Sequence, residues 1–165
     1  MNVVKLEVPD ISVRPVLIAP RLRLEGFSEE KRKEIEWAYP TNVNPGFVPM
    51  GPYVMVQMRR VRRFSEAGIE LPDEARRYER WQTCAGLVWA LGPLAYRDRT
   101  TMKPWSEGVW CQPGDFVQAP KNGGYRWEVK VPGAHERETT IFATVRDSEL
   151  WSLCIGDPLE QREYL

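Results

Sequence analysis

Gly68-Ile69-Glu70-Leu71-Pro72-Asp73-Glu74-Ala75-Arg76-Arg77-Tyr78-Glu79-Arg80-Trp81-Gln82-Thr83-Cys84-Ala85-Gly86-Leu87-Val88-Trp89-Ala90-Leu91-Gly92 is the stretch on which the reading of this chain turns. Its first part reads as a polar loop, 62–83 at its widest, with a short apolar tip at Ile69 and Leu71. Its second part is an apolar strand, Leu87 to Leu91, stopped by Gly92-Pro93. A polar loop with a short apolar tip is built to touch another molecule.

Working outward, short strands separated by turns continue to the C-terminal side, which predicts an all-β sandwich or barrel. Val54, Val56 and Met58 share one face of a first strand, and Tyr53, Met55 and Gln57 the other. Leu87, Trp89 and Leu91 form a second apolar set, Phe116 a third, Trp127 and Val129 a hairpin arm, and Ile141 to Val145 a further strand. Lys121-Asn122-Gly123-Gly124 is a turn signal, because Asn and Gly accept the positive φ of tight turns. On the N-terminal side, Met1 to Leu24 alternates loosely between apolar and polar residues and is interrupted by Pro9, Pro15 and Pro20, as in extended pieces at a surface. Ser28 then offers an N-cap, Glu29 and Glu30 suit the positive end of a helix dipole, and Tyr39-Pro40 marks a stop, so Glu29 to Ala38 is predicted as one short helix. Thr41 to Pro52, with its Asn, Gly and Pro residues, is a connector. The expected organisation is an arm with a short helix over 1–50, a barrel over 51–158 with an insertion at 93–110, and a tail over 159–165.

At these positions the chain resembles the GroES co-chaperonin family, whose mobile loop ends in a Gly-Ile-x-Leu-Pro type tip and leads into a strand closing in Val-x-Ala-x-Gly. Tyr53-Val54-Met55-Val56-Gln57 is similar to the family's first strand, Gln112-Pro113-Gly114-Asp115-Phe116-Val117 to its Val-Gly-Asp-x-Val turn and strand, and Thr144-Val145-Arg146-Asp147-Ser148-Glu149-Leu150 to its closing segment. The long N-terminal extension, Gly92-Pro93-Leu94-Ala95 and Pro120-Lys121-Asn122-Gly123-Gly124 resemble the phage-type members. The resemblance implies an irregular small β-barrel and an oligomer. Subunits would pair the first strand, at Tyr53, Met55 and Gln57, with the neighbour's last, at Ser152, Leu153 and Ile155. The tip Gly68, Ile69, Glu70, Leu71 and Pro72 would be the partner-binding loop.

Composition excludes several classes. Hydrophobic residues make up 42% of the 165, enough for a packed core. Lys+Arg and Asp+Glu number 23 each, so there is no net pull toward nucleic acid or an anionic membrane. No apolar run reaches the roughly 18–20 residues of a membrane span, and the N-terminus lacks the order of a signal peptide. Cys84, Cys111 and Cys154 are odd in number and widely spaced, and read as reduced thiols rather than as a disulfide framework or zinc knuckle. His135 is the only histidine, no His-Glu-x-x-His motif occurs, and no Gly-rich loop opens a helix, so no metal, cofactor or nucleotide is expected. A dyad of His135 with Cys84 or Cys111 has no companion motif.

Two features resist assignment from sequence. Arg59-Arg60-Val61-Arg62-Arg63 is a basic run of the kind that neutralises phosphates, but Glu66, Glu70, Asp73, Glu74 and Glu79 lie close by, so internal ion pairs come first, contact with an acidic protein surface second and nucleic acid last. Among the seven tryptophans, Trp105 and Trp110 sit in the insertion and are candidate interface anchors. The chain therefore reads as a non-enzymatic, oligomeric protein-binding module. The resemblance gives it two roles: a phage virion structural protein of the capsid-decoration type, or a co-chaperonin capping a chaperonin. Either would place it in the host cytoplasm or in a virion assembled there.

Overall fold

The computed structural model describes residues 17–134 and 138–162. The expected extended pieces within Met1–Val16, and His135, lie outside the described residues. Helix α1 spans Glu29–Ala38 and is followed by strand β1, Tyr53–Met58. Helix α2 covers Asp73–Gln82, and then come β2, Ala85–Leu91, β3, Phe116–Gln118, β4, Tyr125–Lys130, and β5, Thr139–Arg146. The strands form one antiparallel sheet in the order β3-β2-β1-β5-β4.

Helix α1 forms where the caps and charges place it. Ser28 Oγ accepts from the Lys31 N–H, Glu29 and Glu30 occupy the first turn, and Ile35 and Ala38 are its buried residues. Helix α2 replaces part of the loop expected over 62–83. Pro72 precedes it, Asp73 and Glu74 fill its first turn, and Ala, Arg and Glu dominate it, all favourable to a helix. It has no apolar stripe, so periodicity does not reveal it.

Strand β1 is the spine of the sheet. It pairs with β2 along one edge and with β5 along the other, and it is buried on both faces from Val54 to Met58. The expectation that Tyr53, Met55 and Gln57 offer an edge to a neighbouring subunit is thus overturned, since the backbone bonds on both sides are already made. The two faces alternate as the sequence indicates: Val54, Val56 and Met58 enter one core cluster and Met55 the other. A bulge in β2 changes the parity of its partner. Met55 faces Ala90 while Val56 faces Val88, so Trp89 is the extra residue. Leu87 and Trp89 therefore lie with Met55, but Leu91 lies across the sheet with Val54, which corrects the reading of those three residues as one set.

Each face of the sheet has its own cover. Ile35, Ala38 and Tyr39 pack on the Met55 face with Leu87, Trp89, Phe116 and Phe142. The segment expected as a separate arm is thus a core layer over its described part. The insertion closes the other face with Ala95, Tyr96 and Cys111. The tail is tied down as well: Arg59 Nη1 donates to Leu159 O at 2.9 Å, and Arg162 bridges to Thr83.

Gln57 joins these layers. Fully buried, it donates from Nε2 to Pro40 O at 2.8 Å and to Thr140 Oγ1 at 3.0 Å, and Oε1 accepts from Trp89 Nε1 at 2.9 Å. Leucine at this position would fill the space but orphan the Pro40 carbonyl and the Trp89 N–H. Gln57→Leu is expected to destabilise the fold by about 2–4 kcal/mol, read as a lower urea midpoint at unchanged slope.

Candidate protein-docking surface

Three places bear on contact with another protein. The first is the tip that follows β1. Leu71 N donates to Arg63 O, Ser65 N to Ile69 O and Gly68 N to Ser65 O, all at 2.8–2.9 Å, so residues 63–71 fold back as a tight hairpin. Gly68, at φ +77°, makes the reversal that a side chain would strain. Ile69 stands at the end of the hairpin, 68% exposed, whereas Leu71 is half-buried. Glu70 is gripped by Arg63, whose Nε and Nη2 lie 2.9 and 2.5 Å from Oε1. The carboxylate between the two apolar tip residues is therefore partly neutralised by its own neighbour, and Pro72 leads directly into α2.

The second place is the extended segment after β5. A buried turn at Asp147 redirects the chain, with Asp147 Oδ2 accepting from the Tyr96 N–H at 2.9 Å and Oδ1 from the Ser148 N–H at 2.7 Å. Residues 151–155 then run along the outer side of β3. Gln118 N donates to Ser152 O at 2.9 Å, Cys154 N donates to Phe116 O at 2.8 Å, and Leu153 bridges to Val117. Since Ser152 and Cys154 spend their groups on β3, the N–H and C=O of Leu153 face the opposite side. No described strand lies beyond them.

Side chains in this segment are exposed except at Cys154. Cys154 packs inward on the sheet, while Trp151, Leu153 and Ile155 are 77%, 50% and 99% exposed. Leu153 separates two open grooves, one of about 450 Å³ bordered by Val109, Trp110 and Trp151, the other of about 540 Å³ bordered by Cys84, Ile155 and Arg162. Of the residues named from sequence, Ser152, Leu153 and Ile155 thus lie together on one edge. Trp151 was missed as their partner, although the Trp-Ser-Leu-Cys-Ile alternation carries the signal.

The third place, the insertion, is more a packing unit than an anchor. Trp105 and Trp110 are half-buried and meet each other edge to face at 5.1 Å, and both rings contact the fully buried Tyr96. Tyr96 Oη lies 3.2 Å from Cys111 Sγ. Burial pushes both the phenol and the Cys111 thiol above their ordinary values, so neither is poised as a nucleophile at neutral pH. Burial also raises the half-buried Cys154 thiol. Among the described residues, no group of three or more His, Cys, Asp or Glu is placed to hold a metal ion. No helix among them is long and apolar enough to cross a membrane. No protein-family model and no curated protein matches the chain.

Because Trp110 shares its ring contacts with Tyr96 and Trp105, its removal opens the insertion face of the core. Trp110→Ala is expected to cost about 2–3 kcal/mol, measured by denaturant unfolding and accompanied by loss of near-ultraviolet dichroism.

Proposed function

We propose that the chain is a non-catalytic protein-binding module that assembles with copies of itself through the edge segment Trp151–Ile155, in the role of a virion structural protein of the capsid-decoration type. The observation that carries this reading is the edge itself. An extended segment with outward-facing backbone groups and a row of three exposed apolar side chains, none of them charged, is a template for strand addition. The opposite end of the sheet is guarded differently, since β4 alternates Arg126, Glu128 and Lys130 with Tyr125, Trp127 and Val129. Pairing the two unlike edges head to tail between copies would give a closed ring or an open array, depending on the rotation per subunit.

A curled, barrel-like sheet supports the same reading. β3 and β4 stand at opposite ends of the strand order, a flat width of about 19 Å at ordinary strand spacing. The connecting residues 119–124 reach about 20–25 Å only if fully extended. They instead contain a turn, in which a Cβ on Gly124 would collide with the Thr144 carbonyl. Curling brings the ends within reach, in keeping with the GroES resemblance, which also supplies the virion and host-cytoplasm context.

The presentation of Ile69 at the hairpin tip, with Glu70 held by Arg63, favours a second reading. In it the tip docks in an apolar groove of a chaperonin and the chain acts as a co-chaperonin.

Sedimentation and native mass of the wild type beside a Leu153→Lys, Ile155→Lys double variant test the first reading. The expected result is an oligomer that becomes a monomer with wild-type far-ultraviolet dichroism and cooperative unfolding, because both side chains are exposed in the single chain. A wild-type monomer that also fails to bind virion particles would overturn it. Nucleotide-dependent capture of the wild type by a chaperonin, lost on Ile69→Ser and kept by the double variant, would establish the second reading instead.

A further inference from the structure

Three arginines of the run at the end of β1 face a cavity, while Arg62 is exposed beside Glu66. Arg59, Arg60 and Arg63 line a small cavity together with Arg76 and Arg80 from α2, and Glu138 is the only carboxylate on its wall among the described residues. The cavity is small, about 30 Å³, which confines an occupant to a water or two or to the oxygens of a single oxyanion group.

Arg60 forms its floor. Only 7% exposed, it lies over the Trp37 ring at 4.5 Å and pairs through Nη2 with Glu138. Its Nε–H is buried and finds no acceptor, and the Nε–H of Arg76 is in the same position. A buried guanidinium N–H without an acceptor is costly, and such groups are normally satisfied by something. The wall arginines also make pairs with exposed carboxylates. Arg63 meets Glu70, Arg76 meets Asp73 and Arg80 lies 3.7 Å from Glu128, and all three carboxylates are well exposed. Arg59 donates to a carbonyl, Leu159 O. Exposed pairs of this kind hold their partners weakly, and each guanidinium has five N–H donors to distribute.

We propose that this cavity is an oxyanion site that takes a terminal phosphate group, either inorganic phosphate or the end of a phosphomonoester. The Nε–H groups of Arg60 and Arg76 would bind its oxygens, and Arg63 and Arg80 would close over it. Glu138 does not oppose the dianion, because its charge is matched by Arg60. The enclosure favours a terminal group over the phosphodiester backbone of a nucleic acid, whose substituents on both sides would not fit. The site would also tie α2 to the sheet, since three arginines come from the β1 end and two from the helix. This inference is independent of the edge-pairing reading.

The test is calorimetric titration of the full chain with inorganic phosphate, glycerol phosphate and an oligonucleotide lacking terminal phosphates, against sodium chloride at matched ionic strength. One saturable site for phosphate or the monoester, absent with chloride, is expected. Because Arg60 variants can fail to fold, Arg76→Gln and Arg77→Gln carry the comparison. They remove the same charge from the same helix, but Arg77 does not line the cavity. Arg76→Gln should weaken phosphate binding about tenfold or more, and Arg77→Gln should leave it within about twofold. No saturable binding, equal loss in the two variants, or an oligonucleotide that binds as tightly as phosphate would each overturn the proposal.

Discussion

The side chain of Gln57 is the constraint around which the molecule is arranged. It stands in the middle of the central strand, in an interior that would reject it were any of its three hydrogen bonds missing. Satisfying both ends of the amide requires the Pro40 carbonyl after α1, the Thr140 hydroxyl on β5 and the Trp89 indole on β2 to converge. Two neighbours reinforce that convergence: Tyr39 Oη donates to Ala85 O at 3.0 Å and Arg60 N to Ala38 O at 2.8 Å. The end of α1 is therefore held at three points across the sheet. With β1 used on both faces and both edges, the exposed apolar side chains lie farther out, at the 151–155 edge and the hairpin tip.

Much of this was legible in the sequence where local chemistry acts alone. Ser28 with Glu29 and Glu30 fixes the start of α1, and Tyr39-Pro40 its end, with no help from the rest of the chain. Strands β1, β2 and β5 fall where the apolar alternation puts them. Features set by long-range pairing were not legible. Alternation tells which side chains share a face but not whether a strand is central or peripheral, so Gln57 was placed with Tyr53 and Met55 on a strand that would pair with a neighbouring subunit. Leu91 is displaced by a bulge that only the partner strand reveals. Helix α2 lacks the apolar stripe that would betray it, since Ala, Arg and Glu dominate its sequence.

The candidate surface was half legible for the same reason. Ser152, Leu153 and Ile155 were named as an edge, and the structure brings them onto one. Their supposed counterpart in β1 is consumed by β2 and β5. Trp105 and Trp110 have the composition of interface anchors, but aromatic composition does not distinguish an interface from a core. Tyr96, fixed by the buried Asp147, draws both rings inward.

The two ends of the sheet differ in a way that stability alone does not require. A lone chain is safest with charge on every open edge, and β4 has it in Arg126, Glu128 and Lys130. The 151–155 edge has none and carries Trp, Leu and Ile toward water, although Lys or Glu there would cost nothing in the core, because Cys154 alone points inward. That exposed apolar row is what the proposed self-pairing would cover. The same asymmetry bears on the arginines: ion pairs at the hairpin and α2 neutralise the outside of the cluster, while two guanidinium N–H groups inside remain unanswered. In both places the chain leaves groups uncovered, apolar side chains and strand backbone at the edge and guanidinium N–H donors in the cavity.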